Sequence, residues 1–195
     1  MKRGLHWIAT GAVVWAASAG AQDLQALQKA LGEMQKQAAA GSAEVVDFRQ
    51  LKTILPEKIG ALKRENAKGG KNSALGFTIS EAEATYRGTD DSSVTIKLSD
   101  TAGLGGMGAF AQMGLAADVD NESDTEYEKT YTHKGIRVLE KYNSENKSGE
   151  ITAMSGNRFT ITINVQDGPA ALLKTALDAV DLNKLSELKP IPKKE

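Results

Sequence analysis

The sequence has no cysteine, which removes disulfides, thiol nucleophiles, cysteine-ligated zinc, iron–sulfur clusters and cysteine-linked lipid anchors together. Histidine is nearly as scarce, with two in 195 residues. Aromatic residues make up 5% and prolines number four. Neither sign of charge dominates: 24 basic and 25 acidic residues give a formal net charge of −1. Nucleic-acid binding needs a basic surface that displaces counterions from phosphates, so that class is set aside. What is present, 41% apolar and 25% charged, is the composition of a folded domain.

The longest apolar run lies at the start. Lys2 and Arg3 precede a stretch from Leu5 to Ala17, which ends in Ser18-Ala19-Gly20-Ala21 before Gln22-Asp23. A positive start, an apolar centre and an Ala-x-Ala site predict a secretory signal cleaved after Ala21. A retained membrane anchor is the alternative, but a bilayer span needs about 20 apolar residues and this run is shorter. The expected location is therefore periplasmic or secreted, with no stable membrane span after cleavage. Removal of the signal takes away both tryptophans (Trp7 and Trp15) and His6, leaving His133 as the only imidazole. It also takes the formal charge from −1 to −3, through loss of Lys2 and Arg3.

The expected organisation is a signal over 1–21, an amphipathic helix and linker over 22–44, a single domain over 45–188 and a loose tail over 189–195. In the segment Asp23–Ala40, Leu24, Leu27, Leu31, Met34 and Ala38 recur at steps of three and four. This helix either packs on its own domain or forms an arm for an envelope protein partner or a second copy. A short helix is expected from Phe48 to Ile54, stopped by Pro56. From Ala61 the period changes to two. Strands are expected over Leu62–Ala67, Phe77–Arg87, Ser93–Ser99, Tyr127–Thr132, Ile136–Tyr142, Ile151–Met154 and Phe159–Val165, with turns at Lys68–Lys71 and Gly88–Ser92. A glycine-rich loop leads into a helix expected from Met107 to Asp118. A closing helix carries Leu172, Leu173, Ala176, Leu177 and Val180, and Asp181 caps one more turn. Clean alternation implies one wet sheet face and antiparallel pairing. The fold class read from these patterns is α+β: an antiparallel sheet of six or seven strands packed with helices, plus an N-terminal helical arm.

Gly103-Leu104-Gly105-Gly106-Met107-Gly108 satisfies the G-x-G-x-x-G spacing of a dinucleotide loop, with Asp120, Glu122 and Asp124 where a ribose-binding acid is sought. The preceding strand alternates, and hairpins rather than βαβ units follow. A loop where a helix packs close to the sheet, or a lid over a cleft, fits better. Asp118–Asp124 holds four carboxylates, yet Ser123 and Lys129 stand where an EF-hand needs glycine and glutamate, which favours a solvated loop over a cation site. His133 precedes Lys134-Gly135 in a turn, and no G-x-S-x-G elbow accompanies it. Tyr86, Tyr127, Tyr131 and Tyr142 could line a ligand surface or pack on the sheet. No catalytic residue, cofactor site or metal site is assigned from the sequence.

Gly135-Ile136-Arg137-Val138, Tyr142, Asn157-Arg158-Phe159-Thr160-Ile161 and a closing helix ending in Val180-Asp181-Leu182-Asn183-Lys184-Leu185 form a recurrent order. Over about Val45 to Leu188 it resembles small exported bacterial proteins without an assigned function and, more distantly, the PsbP-like α+β fold. The resemblance implies an accessory or binding role without catalysis. The expected function is thus a non-catalytic envelope protein that binds a protein partner or small ligand. The alternative is a periplasmic hydrolase using carboxylates, or His133 with a serine, in a cleft near Gly103–Gly108.

Overall fold

Alternation of apolar and polar residues carries through strand after strand, and in the computed structural model those strands form one antiparallel sheet. The structure describes residues 32, 43–74, 77–107 and 115–190. The expected signal, the Asp23–Ala40 helix apart from Gly32 and residues 108–114 of the Met107–Asp118 helix lie outside the described residues, as does the end of the tail. The chain divides into two units, 1–37 and 38–195; everything below concerns the second.

The strands are β1 (Lys58–Ile59), β2 (Leu62–Ala74), β3 (Phe77–Arg87), β4 (Ser93–Asp100), β5 (Asp120–Glu122), β6 (Glu126–His133), β7 (Ile136–Asn143), β8 (Ser148–Ser155) and β9 (Phe159–Gln166). Their spatial order is β1-β2-β3-β4-β9-β8-β7-β6-β5. Two meanders therefore run outward from a central β4–β9 seam, where Val94, Ile96 and Leu98 face Val165, Ile163 and Ile161. The helices are α1 (Phe48–Ile54), α2 (Ala171–Ala179) and α3 (Leu182–Glu187). All three pack on one face. Leu51 of α1, Leu173 and Leu177 of α2 and Leu185 of α3 join Ala82, Ala84, Ile96, Ile151 and Ile161 in a single buried cluster.

Local chemistry explains the helix ends. Asp47 accepts from the Arg49 amide at 2.7 Å and donates its own amide to Gln50 Oε1 at 3.2 Å, a capping box that satisfies first-turn donors. Leu55 is extended before Pro56, as the proline ring requires. Asp181 Oδ1 accepts from the Lys184 amide and starts α3, as expected. The turn after His133 has Lys134 and Gly135 at φ of 48° and 83°, the pair of left-handed residues that matches a two-residue hairpin to sheet twist.

The α+β expectation of six or seven strands is corrected. The sheet has nine strands; about half of the described residues are strand and a fifth helical, so the molecule is more β-rich than expected. The two extra strands, β1 and β5, have two and three residues, too few to show a period. Lys68–Lys71, expected as a turn, lies inside the 13-residue β2. Gly69 there has a packing role: a Cβ would fall 2.8 Å from the Phe48 ring and 2.9 Å from the Glu81 carbonyl, so glycine lets α1 lie on the strand. The helices have seven, nine and six residues, each just long enough to lay one apolar stripe on the sheet.

Residues 101–119 connect β4 in mid-sheet to β5 at the edge. Ala102–Met107 is a 3₁₀ helix rather than an open loop. Gly103 is buried with the Thr78 carbonyl only 2.1 Å from where a Cβ would stand, so it is held by close packing. Farther along, Arg137 donates to the carbonyls of Leu115 and Ala117 and pairs with Asp118.

Candidate functional site

The face opposite the helices is polar, and strand registers align its side chains into rows. Glu128 on β6 faces Lys141 on β7, which faces Glu150 on β8, which faces Asn164 on β9. Beside this row Glu126 faces Asn143. Period-two alternation puts these residues on one side of the sheet while Tyr127, Tyr142 and Val165 turn to the other. The row forms the floor of a concavity of 740 Å³, which also takes in Asn121, Glu122 and Gln166 at its margin.

The chemistry of this concavity is that of hydrogen bonding. Lys141 Nζ lies 2.7 Å from Glu128 Oε1, Asn143 Nδ2 donates to Glu126, and Thr152 donates to Glu150 at 3.3 Å. Asn121, Asn164 and Gln166 make no side-chain hydrogen bond among the described residues, which leaves their amides to donate and accept. Four glutamates stand against a single lysine in the lining, so anionic ligands are repelled and neutral or cationic ones admitted. No nucleophile is paired with a base there.

The residues singled out from the sequence fall elsewhere. His133 Nε2 lies 3.1 Å from Asp178 Oδ1, and Lys134 Nζ reaches the same oxygen at 2.7 Å. The Lys134 hydrogen bond, and then the nearby positive charges, hold the Asp178 carboxyl below its ordinary range. His133 has no serine partner among the described residues, so the triad of the hydrolase alternative is not assembled there. A second concavity, 510 Å³, is lined by Leu115, Ile136, Arg137, Met154 and Asn157 among others and contains no carboxylate. Neither concavity is lined by His133 or by residues 102–104. The acidic stretch does not gather: Asp118 pairs with Arg137, and among the described residues no group of three or more His, Asp or Glu side chains could hold a metal.

The four tyrosines all point to the helix-covered face, where each hydroxyl is engaged. Tyr86 donates to the Pro56 carbonyl at 2.8 Å and Tyr142 to the Gly168 carbonyl at 2.9 Å. Tyr127 and Tyr131 donate to the two oxygens of Glu140, at 2.5 and 2.6 Å. Glu140 is buried, and its nearest cation, Lys129 Nζ, is 3.8 Å away. Burial first, and the hydrogen bond to the Glu140 carboxylate second, raise both tyrosines well above the ordinary phenol value. Burial also pushes Tyr86 up to about 12.

Sequence reasoning missed the row that builds the concavity. Its signal was the polar parity of Thr160, Thr162 and Asn164 opposite the apolar residues of the strongest strand, but three registers are needed to align it with Glu128 and Lys141. No family model matches the chain, and no curated protein or solved structure matches it. No helix among the described residues is long and apolar enough to cross a membrane.

Proposed function

We propose that this chain is an exported, non-catalytic binding protein of the cell envelope that takes a small polar ligand, neutral or cationic, on the uncovered face of its sheet. The observation that carries the reading is the set of unengaged amides, Asn121, Asn164 and Gln166, around a 740 Å³ concavity in which Glu126, Glu128 and Glu150 are already partnered. A polar group that already has an internal partner gains little from a ligand, whereas a free amide gains a hydrogen bond of about 1 kcal/mol. The signal-like start, Lys2 to Ala21, supports the location. The resemblance to small exported bacterial proteins supports an accessory rather than catalytic role.

Isothermal titration of the secreted form against neutral sugars, amino acids, polyamines and phosphorylated sugars tests the proposal. The expected result is saturable binding of a neutral or cationic class, weakened about tenfold by Asn164→Leu, which is about 1.4 kcal/mol. Absence of heat across the panel overturns it, as does selective binding of the phosphorylated sugars.

A further inference from the structure

β2 is the longest strand in the sheet, yet its outer neighbour β1 reaches only Leu62 and Lys63. One further backbone bond joins the Arg64 amide to the Glu57 carbonyl. From Asn66 to Ala74 the inner side of β2 pairs with β3. On the outer side, no backbone hydrogen bond is made from Glu65 to Ala74 among the described residues. This stretch is exposed or half-buried throughout. In an antiparallel strand alternate residues direct both N–H and C=O to the same side, so the stretch presents a row of unsatisfied donors and acceptors. Edges of this length are ordinarily blunted by proline, by shortness or by lysine, because they template pairing with another chain. Residues 65–74 contain no proline, and the irregularity in the β2–β3 register falls at Arg64–Asn66, where the free edge begins.

The protection that remains is positive charge. Lys68 meets Glu83, Arg64 meets Glu57 and Arg87 meets Glu65. Lys63 and Lys71 on β2, Lys58 on β1 and Lys52 on α1 form no ion pair among the described residues. Lys52 lies over β2 from the α1 side, with its Cδ 3.5 Å from the place a Gly69 Cβ would occupy. Two-fold pairing of β2 with a second copy about Gly69–Gly70 would set Lys68 opposite Lys71, and like charges directly opposite each other are destabilising. The same charges attract an acidic strand. Beside Gly70, nothing lies within 4 Å of where a Cβ would stand, so a bulky side chain of an incoming strand has room there.

We propose that the Glu65–Ala74 edge of β2 is a docking strand for an extended acidic segment of a partner protein, which adds to the sheet by backbone pairing. Main-chain hydrogen bonds supply the register, and Lys52, Lys58, Lys63 and Lys71 select for acid. The surface is separate from the concavity over β6–β9, and neither proposal depends on the other.

The test is fluorescence anisotropy of the full chain with a labelled decapeptide of alternating glutamate and threonine. Saturable binding that weakens as salt rises is expected, together with at least a tenfold loss in the double variant Lys63→Glu/Lys71→Glu. Two further peptides carry N-methyl groups on alternate residues, one in each frame. These keep the charge and remove strand hydrogen bonds, so at least one frame is expected to abolish binding whatever the stability of the variants. Equal binding of both methylated peptides and the parent overturns the proposal, since charge alone would then explain it. Absence of binding at low salt also overturns it. So does sedimentation showing that the chain alone self-associates through β2, because the edge would then serve a second copy.

Discussion

The two faces of the sheet use polar side chains in opposite ways. On the helix-covered face each buried acid is fully engaged. Asp100, completely buried, accepts from the Val46 amide at 2.7 Å, the Ala102 amide at 3.0 Å and two nitrogens of Arg158 at 2.7 and 3.0 Å. It thereby ties the β4–β9 seam to the segment that leads into α1. Glu140 is held by two tyrosine hydroxyls instead of an arginine. On the open face the charges pair in exposed or half-buried bridges, and three amides around the concavity are unengaged. Under the proposed function the two faces divide two tasks: buried polar chemistry specifies how the chain folds, and exposed polar chemistry is available to a ligand.

The largest break in that comparison is Asp100→Ala. It leaves the Arg158 guanidinium facing a buried site without its carboxylate, which costs about 3–5 kcal/mol, read as a fall in the urea midpoint. Glu140→Ala is expected to cost less, about 1–3 kcal/mol in the same assay. Its partners are neutral hydroxyls, and both tyrosines retain some access to water. A loss for Glu140→Ala larger than for Asp100→Ala would reverse the ranking of the two acids.

Alkaline titration sharpens the account of the covered face. Tyr86, Tyr127 and Tyr131 have folded pKa values above the ordinary value of about 10. Their contribution to stability is complete below that unfolded value and is lost as pH rises through the folded ones, because the unfolded chain releases these protons first. Tyrosinate absorbance is therefore expected to show Tyr86, Tyr127 and Tyr131 ionising late and together with unfolding. Independent ionisation of these three near pH 10 would contradict it.

The smallest stability effect belongs to the open face. Asn164→Leu is expected to change unfolding free energy by no more than about 0.5 kcal/mol while weakening ligand binding. A destabilisation comparable to Glu140→Ala would show that Asn164 serves the fold.

Much of this architecture was legible wherever one element carries its own pattern. Phe48–Ile54 shows its helical face and its proline stop, Phe159–Val165 alternates without a break, and Asp181 stands where a cap is needed. Legibility failed where the cause lies across the sheet. Lys68-Gly69-Gly70-Lys71 has turn composition, but Phe48 and Glu81 impose a strand on it through contacts 20 and more residues removed along the chain or formed by pairing. Glu140 shares parity with Val138 and Tyr142, so its inward direction was readable; its tyrosine partners on β6 were not, because the β6–β7 register supplies them. The alignment of Glu128, Lys141, Glu150 and Asn164 likewise exists only after three strand pairings are made. It is the arrangement on which the proposed function rests, and no stretch of sequence contains it.

Amide shift mapping of the isotopically labelled secreted form, titrated with the same neutral and cationic ligands, tests the division of labour between the faces most directly. The account predicts perturbations clustered at Glu126–Glu128, Lys141–Asn143 and Asn164–Gln166. Perturbations centred on His133 and Asp178, with the concavity silent, would contradict it.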